Sequence, residues 1–116
     1  ITGALNQTFL TQALASRESI IQTARLLETQ GVAALNGAGK YIKDARNLLI
    51  GGKLVSVEAR HLAALRDIAP VPAGTNANTA FAGDDSVNAD GLDVKLEATT
   101  VLARVKAAGV VTEPTN

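Results

Sequence analysis

Glu58 and His61 are the residues of this chain whose types and spacing point most directly to chemistry. Glu-x-x-His sets a carboxylate and the chain's single imidazole one helical turn apart on one side of a helix, the separation a single cation needs to be held by both. Carboxylate oxygens and a neutral imidazole suit iron, manganese or zinc. Glu28 occupies a comparable place in the apolar repeat of the preceding segment, so it joins them as a third candidate ligand. A plainer reading competes, in which Glu58 pairs with Arg60, Arg66 or a neighbouring helix and His61 donates to a backbone carbonyl. Both readings supply partners, because a buried carboxylate is costly without them.

The elements that position these residues follow from periodicity and caps. Residues 17 to 40 carry Ile21, Ala24, Glu28, Gly31 and Leu35 at three-and-four spacing, which predicts a helix with Ser16 as N-cap and Glu18 in its first turn. Gly31 and Gly37 weaken it, which hints at close helix contacts or merely at fraying, and Asn36, Gly37 and Gly39 weaken or end its far end. Asp44 caps a second helix running to about Ile68, stopped by Pro70 and Pro72. Its seam is Leu54, Glu58, His61, Leu65 and Ile68, placed by the four-three-four-three spacing on one face. Each helix spans roughly 35 Å, and the short link between them predicts an antiparallel hairpin. Such a hairpin leaves most of its apolar stripe uncovered and calls for further helices.

The sequence divides at about residue 72. Residues 1–72 read as a polar lead-in and the helical hairpin, and residues 73–116 as a loop-rich extension with a short helix. In that extension Leu92, Val94 and Leu96 alternate in an extended manner. "TTVLARVKAAG" then reads as a helix capped by Thr99 or Thr100 and closed by Gly109.

Composition excludes several classes. Eleven basic and eleven acidic residues cancel, which disfavours nucleic acid as a partner. The apolar runs are too short for a membrane span, and the absence of cysteine excludes disulfides and thiolate metal sites. A start at Ile1-Thr2-Gly3 in a chain without methionine points to a fragment or processed part of a longer polypeptide. Ser86, Asn88, Asp90, Gly91 and Glu97 approach calcium-loop spacing, but the first position lacks a carboxylate and Asp93 stands where such loops are apolar. Asx turns closed by Gly91 are the better account. "NGAGK" lacks the glycine spacing of a phosphate loop and reads as a helix C-terminus. One histidine and no nucleophile elbow leave a hydrolase triad unsupported.

"LETQGVAAL" and "SVEARHLAALR", with "VEARH" the sharpest part, resemble the third and fourth bundle helices of ferritin-like domain-containing proteins of the desiccation-related branch. The likeness covers about residues 10 to 72. "DDSVNADGL" with "TTVLARV" is similar to the extension that follows the fourth helix in those proteins. The resemblance implies an all-α fold in which this chain is an antiparallel hairpin forming half of a ferritin-like four-helix bundle, with an extended C-terminal tail. It matches Glu28 to the third-helix glutamate, and Glu58 and His61 to the fourth-helix pair.

Two functions are expected from this. One is a structural, stress-protective or envelope-assembly role, with the three residues forming a buried polar network. The alternative is a di-iron or di-manganese carboxylate protein for metal storage, oxidase or peroxide chemistry. The N-terminal half of the same bundle or a second copy of the chain would complete it as an oligomer or larger assembly. The resemblance also implies a periplasmic or extracellular location.

Overall fold

The computed structural model describes residues 5–69 and 87–112. Four α-helices and no strands are found among them: α1 (Gln7–Ala13), α2 (Arg17–Ala38), α3 (Ala45–Ile68) and α4 (Ala98–Ala107), with a 3-10 turn at Gly39–Tyr41 between α2 and α3. The long helices begin where side chains replace the missing backbone partners of a first turn. Ser16 Oγ accepts from the Ser19 amide at 3.0 Å and Ser19 Oγ accepts from the Ser16 amide at 2.9 Å, a reciprocal cap. Asp44 Oδ1 accepts from the amides of Arg46 and Asn47, both at 2.9 Å. The "NGAGK" stretch is the end of α2 and its 3-10 turn, as expected of a helix C-terminus.

Two local expectations are corrected. The polar lead-in contains α1, started by Asn6, whose Oδ1 accepts from Thr8 N at 3.0 Å and Phe9 N at 3.4 Å. The residue before α4 is Glu97 rather than Thr99 or Thr100, and its side chain makes no capping bond. The Glu97 carboxylate is committed elsewhere, to Lys40 and Tyr41, and α4 starts on the Glu97 carbonyl alone, which accepts from Thr100 N at 2.9 Å and Val101 N at 3.1 Å. Gly109 ends α4 at φ +75°, the left-handed conformation that favours glycine.

α2 and α3 pack as the predicted hairpin. The face by which α3 closes on α2 is not the predicted seam, however. Leu62 and Arg66 are 3% and 4% exposed, Ala69 is buried, and Val55 and Ala59 are half-buried. Leu54 and Ile68 are each 51% exposed, and His61 is exposed as well, while Glu58 and Leu65 are half-buried. The buried arc is turned from the predicted seam by roughly a quarter of a turn at 100° per residue. The physical reason is that the apolar arc of α3 is wider than one helix can cover. α2 takes one edge of it, and Ile50, Leu54, Val57 and Ile68 remain on the other. Ile20 and Leu27 are similarly exposed on α2.

The chain after α3 returns to α2. Leu96 N donates to Ala33 O at 2.9 Å, Asn36 Nδ2 to Val94 O at 3.5 Å, and α4 packs on α2. Leu96 crosses so close that a Cβ on Gly37 would lie 1.8 Å from its carbonyl oxygen, so glycine is required there. Lys40 and Tyr41 fasten this strap, residues 92–97: both bond the Glu97 carboxylate, Tyr41 Oη at 2.9 Å, and the Lys40 ammonium sits 4.9 Å from the Tyr41 ring centroid. Beyond α4, Asn6 N donates to Val110 O at 3.0 Å, tying the exit of α4 to the start of α1. Of the calcium-like spacing, Ser86 lies outside the described residues. Asn88 Oδ1 accepts from Asp90 N and Leu92 N, both at 3.0 Å, and Gly91 has φ +75°, which is an Asx turn. No helix among the described residues is long and apolar enough to cross a membrane.

Candidate metal centre

Glu28, in the middle of α2, and His61, in the C-terminal half of α3, meet across the hairpin. His61 Nδ1 lies 3.1 Å from Glu28 Oε1, so a protonated Nδ1 donates to the carboxylate. The imidazole remains 57% exposed, on the side of the hairpin that carries Leu54 and Ile68. The two helices meet here because Ser16 and Asp44 fix their starts and the short connection fixes their stagger. His61 therefore takes a carboxylate rather than the backbone carbonyl of the plainer reading.

Glu58 lies one turn before His61 and faces α2 at Gly31. A Cβ on Gly31 would stand 2.7 Å from Glu58 Oε2 and 3.2 Å from its carboxyl carbon, so the absent side chain leaves the notch the carboxylate occupies. Oε2 is buried there with no hydrogen-bond partner. Desolvation pushes the Glu58 carboxyl above its ordinary range, the Glu28 charge adds to that, and His61 opposes it. The expected pairing of Glu58 with Arg60 is absent: Arg60 Nη1 donates to Ser56 Oγ at 2.8 Å on the outer side of α3.

The donor types are those of an iron or manganese carboxylate site, and an inward carboxylate oxygen lacking a partner is what half of such a site would leave. The three side chains do not close around a common point, however. No group of three or more His, Cys, Asp or Glu able to hold a metal ion is found among the described residues. From this hairpin alone a complete coordination sphere does not form, and any metal would need ligands from elsewhere.

The sequence marks all three of these residues and hints at the close approaches at Gly31 and Gly37. It does not mark the Lys40–Tyr41–Glu97 clasp, because Glu97 stands 57 and 56 positions from its two partners and forms no local pattern with them. Charge complementarity between the hairpin turn and the start of α4 is the one signal it offers there.

Comparison with known proteins adds the last observation. The chain has no significant match among the curated proteins or among the solved structures. Residues 2–70 match the ferritin-like domain, a family whose members often bind metals. That match takes in α1, α2 and α3 whole and more than half of the 116 residues, with the Glu28–His61 contact and the Glu58 notch inside it; the chain belongs to the ferritin-like domain family.

Proposed function

We propose that this chain serves as one hairpin of a ferritin-like four-helix bundle with a structural, stress-protective or envelope-assembly role. The bundle is completed by an N-terminal half of the same protein or by a second copy. The observation that carries this reading is the open apolar stripe beside the Glu28–His61 pair, formed by Ile20 and Leu27 on α2 and Ile50, Leu54, Val57 and Ile68 on α3. Water contact along a continuous stripe of this kind is unfavourable, and two further helices would cover it. In the completed bundle the Glu28–His61 pair becomes an interior polar contact that fixes helix register. "VEARH" supports placement in the desiccation-related branch, and with it an extracytoplasmic setting.

Sedimentation across a concentration series tests the reading. Self-association that Leu54→Asp and Leu27→Asp abolish while helicity is kept is the expected result. An intact protein whose assembly state and stability are unchanged by both variants would overturn it, because a stripe covered by either partner would not tolerate a buried aspartate.

One observation favours a second reading. The orphaned Glu58 Oε2 is the atom a cation would satisfy, so Glu28, Glu58 and His61 would supply half the ligands of an iron or manganese pair in the completed bundle. Bound there, the metal would supply redox or Lewis-acid chemistry. This chain's part is to hold two carboxylates and an imidazole at the hairpin's middle and to keep Glu58 seated against Gly31. Elemental analysis of the assembled protein distinguishes the two: metal lost in Glu58→Ala and His61→Ala favours the second, and a metal-free assembly the first.

A further inference from the structure

An open cleft of about 310 Å³ lies where α4 meets α2, lined by Gln22, Arg25, Leu26, Thr29, Gln30 and Arg104. It lies apart from the Glu28–Glu58–His61 group. Two arginines from different helices line it, and neither has an ion-pair partner among the described residues. Two like charges drawn to one cleft repel each other, and a shared anion converts that repulsion into attraction. Arginine suits such an anion because its planar fork offers paired N–H donors that match the oxygens of a phosphate. Thr29 contributes wall only, since its hydroxyl already donates to Arg25 O at 2.8 Å.

Gln30 gives the second observation. It is only 8% exposed, and its side-chain oxygen is buried with no hydrogen-bond partner. A buried amide oxygen without a donor is unfavourable, so the α2–α4 contact is incomplete as it stands. A hydrogen phosphate brings acceptor oxygens for the two arginines. The cleft has room for an ion of this size.

We propose that the cleft between α2 and α4 is a binding site for a small phosphate-class oxyanion, clamped by Arg25 and Arg104. Bound there, the anion joins α4 to α2 and strengthens the docking of the tail. The site is independent of bundle completion, so its failure would leave the proposed function untouched.

The test uses the full chain, with inorganic phosphate as the probe and sodium chloride at matched ionic strength as the control. Thermal unfolding and the side-chain resonances of Arg25 and Arg104 are followed through the titration. A saturable rise in Tm with phosphate is expected, with both arginine signals shifting, and affinity falling roughly tenfold or more in Arg104→Gln and in Arg25→Gln. Arg104 is exposed, so Arg104→Gln is expected to fold normally, which circular dichroism checks. Identical responses to phosphate and chloride would overturn the proposal. So would phosphate binding that persists undiminished in both correctly folded variants.

Discussion

Replacing Gly37 by alanine sets two magnitudes of opposite sign against each other. Gly37 is the penultimate residue of α2, where alanine is favoured over glycine by at most about 1 kcal/mol, so propensity alone makes Gly37→Ala mildly stabilising. The strap opposes this. The new Cβ would fall 1.8 Å from the Leu96 carbonyl oxygen and 2.8 Å from its carbon, where contacts below 3.0 Å essentially never occur. The obstacle is backbone, which cannot swing aside as a side-chain tip can. Leu96 must therefore retreat from α2 by more than about 1 Å, which breaks its 2.9 Å hydrogen bond to Ala33. That bond is worth about 1 kcal/mol, and separating the half-buried Val94 and Leu96 from α2 adds about 1–2 kcal/mol. After the propensity gain, a net loss of about 1–2 kcal/mol is expected. Urea denaturation measures the total, and amide hydrogen exchange at Leu96 locates it. If Gly37→Ala proves as stable as the parent, with the Leu96 amide still protected, the close approach does not hold the strap and the reasoning fails.

Gly52, inside α3, is the matched control: a Cβ there meets nothing within 4 Å, so Gly52→Ala is expected to raise stability by about 0.5–1 kcal/mol in the same urea assay. Gly31→Ala meets only a movable carboxylate end, and is expected to expel Glu58 from its notch while the hairpin stays folded, as seen in the side-chain carboxyl resonance of Glu58. His61→Ala removes the partner of Glu28 and is expected to lower the urea-derived stability by about 0.5–1 kcal/mol.

Stability against pH carries two carboxylates of opposite sign. Glu58 is held above its ordinary value of 4.5 by desolvation, so its contribution is in place below pH 4.5 and is lost as the pH climbs through the raised folded value; Glu58→Gln removes that decline. Glu97 is held below 4.5 by its hydrogen bonds to Lys40 and Tyr41, so its contribution is present above pH 4.5 and is lost as the pH falls through the lowered folded value; Glu97→Gln removes that acid limb. Urea midpoints measured across pH check both, and exchanged signs would contradict the assigned environments.

How far the sequence speaks for the fold depends on the range of the interaction. Ser16, Asp44 and Gly109 act on their own neighbours, and the structure has α2, α3 and the end of α4 where those residues predict them. Asn6 acts the same way, but α1 has only seven residues and no apolar repeat long enough to announce it. The seam of α3 shows a different limit. Periodicity reveals which residues share a face and is silent on which neighbour covers it. The apolar arc from Val55 and Leu62 round to Leu54 and Ile68 is wide enough for two neighbours, and the described residues supply one. At the candidate site, helical spacing marks Glu28, Glu58 and His61. That Glu28 bonds His61 while Glu58 is tucked against Gly31 depends on the rotation of α3, which no local pattern encodes.

The strap across Gly37 also separates two processes in kinetic order. Leu27 and Gly37 are ten positions apart on α2, so at 100° per residue they point about 80° apart, and the strap leaves the apolar stripe clear. Docking of the strap is an event within one molecule, whose ends are held at high effective concentration whatever the dilution. Covering of the stripe by a second copy would be bimolecular and would slow in proportion as the protein is diluted. A refolding experiment at two protein concentrations would then divide the reaction into a phase that belongs to the chain and a phase that belongs to the company it keeps.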